Sequence, residues 1–224
     1  MDIYVAVISA VAGLFAIIAG MVAFAGWSRP RMAKWWMRRR DPTHTGPSTH
    51  AATASTESNA QKATAKKELG KLHRQSGDFP EAHRLFTEAY DDFVTLGHIR
   101  GQANALMNRG ILFRMMNQWM DSEQDHANAD SLFRQASDPR GQADNLKNFG
   151  SLYRDMGNQR RAIEILEQSL RIYESLGAKA KIAELKQQIG TNFAQLGDTD
   201  TAREYLASSL RDSGDGHATS DTQG

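Results

Sequence analysis

The 224-residue chain has no cysteine, which excludes disulfide bridges, thiolate metal ligands and a thiol nucleophile. It has only five prolines, so most of it is free to run as uninterrupted helix. It carries no phosphate-binding loop, no metal-ligand helix motif and no nucleophile elbow. Catalysis finds no support, and neither a cofactor nor a metal is expected; the chain reads as a non-enzyme. It also lacks a strong net charge, at +1 from 27 Lys+Arg and 26 Asp+Glu, but the charge is unevenly spread. Residues 29–40 hold Arg29, Arg31, Lys34, Arg38, Arg39 and Arg40 and no acid, whereas residues 63–224 hold 20 cations against 23 carboxylates. A slightly acidic body opposes nucleic-acid binding, because phosphate contacts need a net basic surface.

Charge is absent altogether between Ile3 and Trp27. As a helix this stretch would reach about 37 Å, enough to cross a hydrocarbon core of about 30 Å with some tilt. Tyr4 and Trp27 bracket it as interfacial aromatics do. A cleaved signal peptide is the rival reading, with Ala23-Phe24-Ala25 resembling a cleavage site. Against it, the run is long, Asp2 precedes it, and the cations follow it. The expectation is a single transmembrane anchor over 1–28 with the N-terminus outside and the rest in the cytoplasm. The basic segment 29–40, with Trp35 and Trp36, either presses against anionic headgroups or only sets topology. Ala6, Ser9, Gly13, Ala16, Gly20 and Ala23 line one face of the span, where a second anchor could approach. Residues 41–61 are rich in Thr, Ser and Ala and read as a disordered linker, as does the tail 213–224. His44 and His50 lie in that linker without a role.

From residue 62 to 212 the chain repeats itself. "RGQANALMNRG" at 100–110 returns as "RGQADNLKNFG" at 140–150. Glycine recurs at Gly70, Gly110, Gly150 and Gly190. Three residues on come His73, Phe113, Tyr153 and Phe193; seven on come Gly77, Asn117, Gly157 and Gly197; twelve on come Ala82, Ser122, Ala162 and Ala202. A fixed period in the range of about 20–50 residues marks a stacked repeat array. Leu146, Phe149, Gly150, Tyr153 and Met156 follow helical spacing, as do Ala162, Ile165, Leu166, Ser169, Leu170 and Tyr173. Gly157-Asn158 breaks the chain between them, and Asp138-Pro139 fits a helix start. Each unit is therefore a helix, a turn and an antiparallel helix. The mid-helix glycine costs about 1 kcal/mol against alanine and is tolerable where a neighbouring helix packs almost onto the backbone.

This pattern resembles the tetratricopeptide repeat (TPR), in its 40-residue variant. The glycine, aromatic, turn glycine, alanine and apolar positions of that signature fall on Gly150, Tyr153, Gly157, Ala162 and Leu166. Asn108-Arg109-Gly110 and Asn148-Phe149-Gly150 carry the Asn-x-Gly of the longer variant. The resemblance implies an all-α fold, a right-handed superhelical array of antiparallel helix pairs, with units at 63–102, 103–142, 143–182 and 183–212. The second unit departs from it, with His126 and Asp130 where Leu166 and Leu170 stand in the third. Asp121, Asp125, His126 and Asp130 then share one helix. They read as a looser, partly hydrated seam with His126 hydrogen-bonded, rather than as a metal or regulatory site.

In such arrays the first helix of each unit lines a concave groove that binds partners. The matching side chains are Lys67, Glu68, Lys71 and Arg74; Asn104, Asn108 and Arg114; and Lys147, Asn148 and Arg154. Arg74, Arg114 and Arg154 stand one period apart and form a ladder suited to carboxylates, while the asparagines suit a peptide backbone. The alternative is that these are solvated polar residues paired with neighbours such as Glu68, Asp144 or Asp155. The reading is a membrane-tethered protein-interaction scaffold whose partner segment carries acidic groups. An RNA-binding helical repeat and a helper subunit of a membrane-embedded complex are the alternatives. The last unit ends without a covering helix, so Phe193, Leu196, Tyr205, Leu206 and Leu210 offer a face for a partner or for self-association.

Overall fold

The computed structural model describes residues 49–214, with side-chain surroundings for residues 55–213. The described residues from 53 onward form a compact unit of their own. Among the described residues the chain is all helix. In order these are α1 (Thr49–Ser76), α2 (Phe79–Thr95), α3 (Ile99–Met115), α4 (Trp119–Gln135), α5 (Pro139–Asp155), α6 (Gln159–Ser175), α7 (Lys179–Gln195) and α8 (Thr199–Gly214). Helices α2 to α7 share one length and one spacing, half the sequence period from each start to the next. From α2 onward successive helices pack on one another, giving the pairs α3–α4, α5–α6 and α7–α8, and α1 pairs with α2 through Gly70 on Phe86 and Lys66 on Asp92.

The starts and stops are local. Asp78, His98, Asp138 and Asn158 each stand before a helix and accept from the backbone N–H three residues on, satisfying one otherwise orphaned donor. Asp138 does this for Gly141 at 3.0 Å with Pro139 opening α5, as its sequence predicts. Helix ends fall at the same even spacing, each on a left-handed residue: Gly77, Gly97, Asn117, Ser137, Gly157, Gly177 and Gly197. Five are glycine, which takes this conformation without penalty. Asn117 (φ 57°) and Ser137 (φ 50°) take it with a side chain attached.

The repeated mid-helix glycines are where the two helices of a pair nearly touch. A Cβ on Gly70 would stand 2.8 Å from Phe86, on Gly110 3.1 Å from His126, on Gly150 2.7 Å from Leu166 and on Gly190 2.9 Å from Leu206. The sequence offset from glycine to contacting residue is the same in all four, so one rule of register builds every pair. The second-helix stripe is buried as expected, with Ala162, Ile165, Leu166, Ser169, Leu170 and Tyr173 all inside. In the first-helix stripe Met156 is exposed, and Leu152, absent from that pattern, is fully buried.

One sequence expectation shifts. Helix α1 begins at Thr49, so residues 49–61 of the expected disordered linker are helical. Alanine-rich sequence extends a helix at little cost once the packed segment from Ala63 onward has nucleated it. The expected anchor 3–27, the basic segment 29–40 and the tail beyond residue 214 lie outside the described residues. Among those described, no helix is long and apolar enough to cross a membrane.

Candidate functional site

First helices α3 and α5 meet directly, besides each touching its own partner helix. This brings the repeated polar positions of the first helices into one row. The expected groove residues meet different fates there. Lys67 and Lys71 both reach Glu68, at 3.1 and 3.0 Å. Lys147 pairs with Glu184 of α7 at 2.9 Å. These lysines are neutralised at home.

The asparagines also turn inward. Asn104 donates to the Arg100 carbonyl at 2.9 Å, Asn108 to Asn104 at 2.7 Å and Asn148 to Asp144 at 2.9 Å. Each is an i to i−4 bond back onto its own helix, a local alternative open to any asparagine in a helix. Asn108 is buried besides. Each amide thus commits one N–H to its own helix, which leaves a second N–H and the oxygen.

The arginine ladder stands apart. Arg74, Arg114 and Arg154 sit in the last turns of α1, α3 and α5, where a cation complements the helix dipole. Asp155 bridges two of them: it accepts from Arg114 of the preceding pair and lies 3.2 Å from Arg154. One carboxylate thus serves two guanidinium groups, and Arg74 has no carboxylate partner among the described residues. Burial, and then the neighbouring Arg114 charge, push the Arg74 guanidinium below its ordinary pKa. The Nε atoms of Arg74 and Arg114 are both buried without a hydrogen-bond partner. A half-buried, under-neutralised pair of guanidinium groups favours an incoming anion, and its planar donors suit carboxylate geometry.

The acidic residues of α4 do not gather into a site. Asp125 takes both nitrogens of Arg109, at 2.7 and 2.8 Å, in a bidentate pair. Arg109 also donates to Thr87 at 3.3 Å and lies over the rings of Tyr90 and Phe113. Asp130 holds Arg134 at 2.5 Å and accepts from Gln142 at 3.0 Å. Asp121 is exposed. No group of acidic and histidine side chains able to hold a metal occurs among the described residues.

His126 is hydrogen-bonded, as expected, and fully buried, so bulk solvent does not reach it in the seam. Its Nδ1 lies 2.8 Å from Asn145 Oδ1, and the Asn145 amide donates to the His126 carbonyl at 2.9 Å. The Phe149 ring stacks on the imidazole with centroids 5.6 Å apart. Burial is the main cause that lowers the His126 pKa to about 4, with the Arg114 charge adding to it and the Asn145 bond opposing it. The imidazole is neutral near pH 7, and the Asn145 oxygen sets Nδ1 as the protonated nitrogen. Nε2 then has no partner. Sequence reasoning found His126 but missed Asn145. The signal was present: across the seams the paired positions read Phe86 with Ala105, His126 with Asn145, and Leu166 with Leu185. The two polar residues replace an apolar pair together.

Across the array, tyrosine hydroxyls tie helices through carboxylates. Tyr153 donates to Glu123 at 2.5 Å, Tyr173 to Asp144 at 2.6 Å and Tyr205 to Glu167 at 3.2 Å. Burial raises the pKa of all three phenols. These are packing ties with satisfied partners, and nothing about them points to chemistry.

Comparison with known proteins agrees with this picture. The family model "Tetratricopeptide repeat" matches residues 101–175. No curated protein matches the chain in sequence. Among solved structures, BtubC (BKLC) from P. vanneervenii is similar, with a TM-score of 0.64 at 18% identity over 70% of this chain and 65% of that one. MamA is similar with a TM-score of 0.53 at 21% identity, over 75% of this chain and 87% of that one. The chain thus spans just under two thirds of the BtubC length, and at these identities the likeness is one of fold. The helix pairs on both sides of residues 101–175 continue the same period in register, from α1 to α8.

Proposed function

We propose that this chain is a protein-interaction scaffold that captures a partner segment along the row of first helices, with Arg74 and Arg114 as the recognition pair for an acidic group. One observation carries the reading: of two neighbouring half-buried guanidinium groups, only Arg114 has a carboxylate, Asp155, while Arg74 has none among the described residues, and the Nε of each has no hydrogen-bond partner. Holding like charges together costs stability unless something repays it, and a partner carboxylate does so at little entropic expense because the donors are already placed. Arg154 is the weaker rung, since Asp155 lies beside it. The groove is for binding rather than for catalysis.

The uncharged run 3–27 followed by six cations supports a tether to the membrane, with the N-terminus outside and the repeats on the cytoplasmic side. Tethering raises the local concentration of the scaffold, so a modest groove affinity suffices to hold a partner near the bilayer. Service as a helper subunit of a membrane-embedded complex is a special case of the same reading. RNA binding is disfavoured by the excess of carboxylates over cations after residue 62.

The test is crosslinking of the full chain in intact cells, followed by mass identification of what co-purifies. Arg74→Glu with Arg114→Glu should abolish capture of the main partner, while Arg154→Glu should weaken it less. Undiminished capture by the double variant would place binding on another face and end this reading. Arg74→Ala is a useful companion: it breaks no ion pair, so thermal stability should stay within about 0.5 kcal/mol of the parent while capture falls.

A further inference from the structure

The two ends of the array are the two halves of its own internal seam. At the first seam Leu112 of α3 is fully buried against Ala82 and Phe86 of α2. One period earlier the same position is Leu72 on α1, and it is 60% exposed. At the third seam Ile189 of α7 is buried against Leu166 and Leu170 of α6. Its equivalent on α1 is Leu69, exposed at 44%. Ala65 repeats the contrast: it is exposed, while Ala105, Asn145 and Leu185 at the same position are fully buried. Helix α1 is thus a first helix with the seam side uncovered among the described residues.

Helix α8 has the converse defect. Leu206 and Leu210 stand where Leu166 and Leu170 receive the next first helix, and they are 36% and 73% exposed. The register rule of the interior assigns their missing neighbours. A first helix placed after α8 would set its Leu72 position on Ala202 and Leu206 and its Leu69 position on Leu206 and Leu210. Helix α1 itself carries leucine at both.

Two further observations favour a second copy of this chain as the occupant. At two of the three internal seams a second-helix aromatic meets a first-helix glycine, Phe93 on Gly101 and Phe133 on Gly141, with room for no Cβ, and at the third the same positions hold Tyr173 and Lys181. At the open ends these positions are Ser213 on α8 and Gln61 on α1, so the smaller and larger partners are exchanged and the space is kept. Charge agrees as well: α1 carries five cations against two carboxylates, and α8 carries two against three.

We propose that copies of this chain associate head to tail, the Leu69–Leu72 face of α1 in one copy seating on the Ala202–Leu206–Leu210 face of α8 in the next, which continues the repeat array across chains. The contact is heterologous, so each added copy exposes the same pair of ends again and growth does not close by itself. This does not rest on the arginine groove, which lies at the ends of the first helices and stays free.

The absence of native cysteine gives a clean test on the full chain purified in mild detergent. Leu72→Cys and Leu206→Cys variants, carrying tags of different size, are mixed and oxidised. The mixed dimer should form and be lost when either variant is oxidised alone. The double variant Leu72→Cys/Leu206→Cys should give a ladder of multimers, which Leu210→Arg abolishes; Leu210 is so exposed that the helical circular dichroism should be unchanged. Met120→Cys, exposed on a different helix, should crosslink with neither partner. A symmetric Leu72→Cys dimer, a double variant that closes only within one chain, or no crosslink at all would overturn the proposal. The second outcome would show that the two ends meet within one molecule. The last would show that another segment or another protein covers these faces.

Discussion

The buried pair His126 and Asn145 makes a quantitative claim about acid. Replacing both with leucine installs the apolar pair already found at positions 166 and 185, where Leu166 and Leu185 belong to one buried cluster. Replacing His126 alone leaves the buried Asn145 oxygen without its donor, at about 1–3 kcal/mol, partly offset by removal of the unpartnered Nε2. Replacing Asn145 alone strands the His126 N–H at similar cost. The double variant removes both partners, so it should fall within about 1 kcal/mol of the parent, and the cycle should show a coupling of about 1–3 kcal/mol. The pH dependence sharpens this. The folded pKa of His126 is depressed to about 4 from 6.5, so as pH falls the unfolded chain takes up the proton first. Stability from the neutral imidazole is complete above about pH 6.5 and drains away between there and about pH 4. At about 1.4 kcal/mol per pH unit this amounts to about 2 kcal/mol by pH 5 and about 3 kcal/mol in all. Urea unfolding followed by helical circular dichroism at pH 8 and pH 5 measures it. The parent should lose about 2 kcal/mol more than the Leu–Leu variant over that interval. Equal losses in the two proteins would mean that the imidazole is not held neutral in the core, and the reasoning from burial would fail.

Two further outcomes follow from the backbone. Gly150→Ala should destabilise by about 1–3 kcal/mol, because its Cβ would stand 2.7 Å from Leu166 and 3.3 Å from the Ala162 carbonyl, which outweighs the helix-propensity gain of about 1 kcal/mol. Gly110→Ala should cost less, since its nearest atoms belong to His126 at 3.1 Å; urea midpoints should rank the two in that order. Ser137→Gly should raise the melting temperature by relieving a left-handed serine, a gain of about 1 kcal/mol, whereas Gly157→Ala at the same kind of helix end should lower it.

The 40-residue period could be read from glycines and alanines alone, because one packing contact imposes one residue type at one spacing. Gly70, Gly110, Gly150 and Gly190 were legible for that reason, and so were the second-helix stripe and the cap at Asp138. Ser137 was not, because nothing in a serine marks a left-handed helix end; only its place midway between Asn117 and Gly157 does. Leu152 escaped the first-helix stripe because a first helix buries two faces, one against its partner and one against the preceding pair, so a single stripe undercounts it. The candidate site was legible only in outline. The ladder Arg74, Arg114 and Arg154 follows from the period, but the lysines and asparagines beside it carry the same period and prove to be engaged locally.

The sequence by itself determined the repeat, the helix pairs and the places where the chain must turn, since those depend on spacing within one helix and its neighbour. The charge balance of the row was decided by the tertiary structure. Asp155 reaches Arg114 across 41 residues and Glu184 reaches Lys147 across 37, and only stacking brings such pairs within Coulombic range. Which cation is left without a carboxylate depends on how the pairs nest rather than on the order of letters.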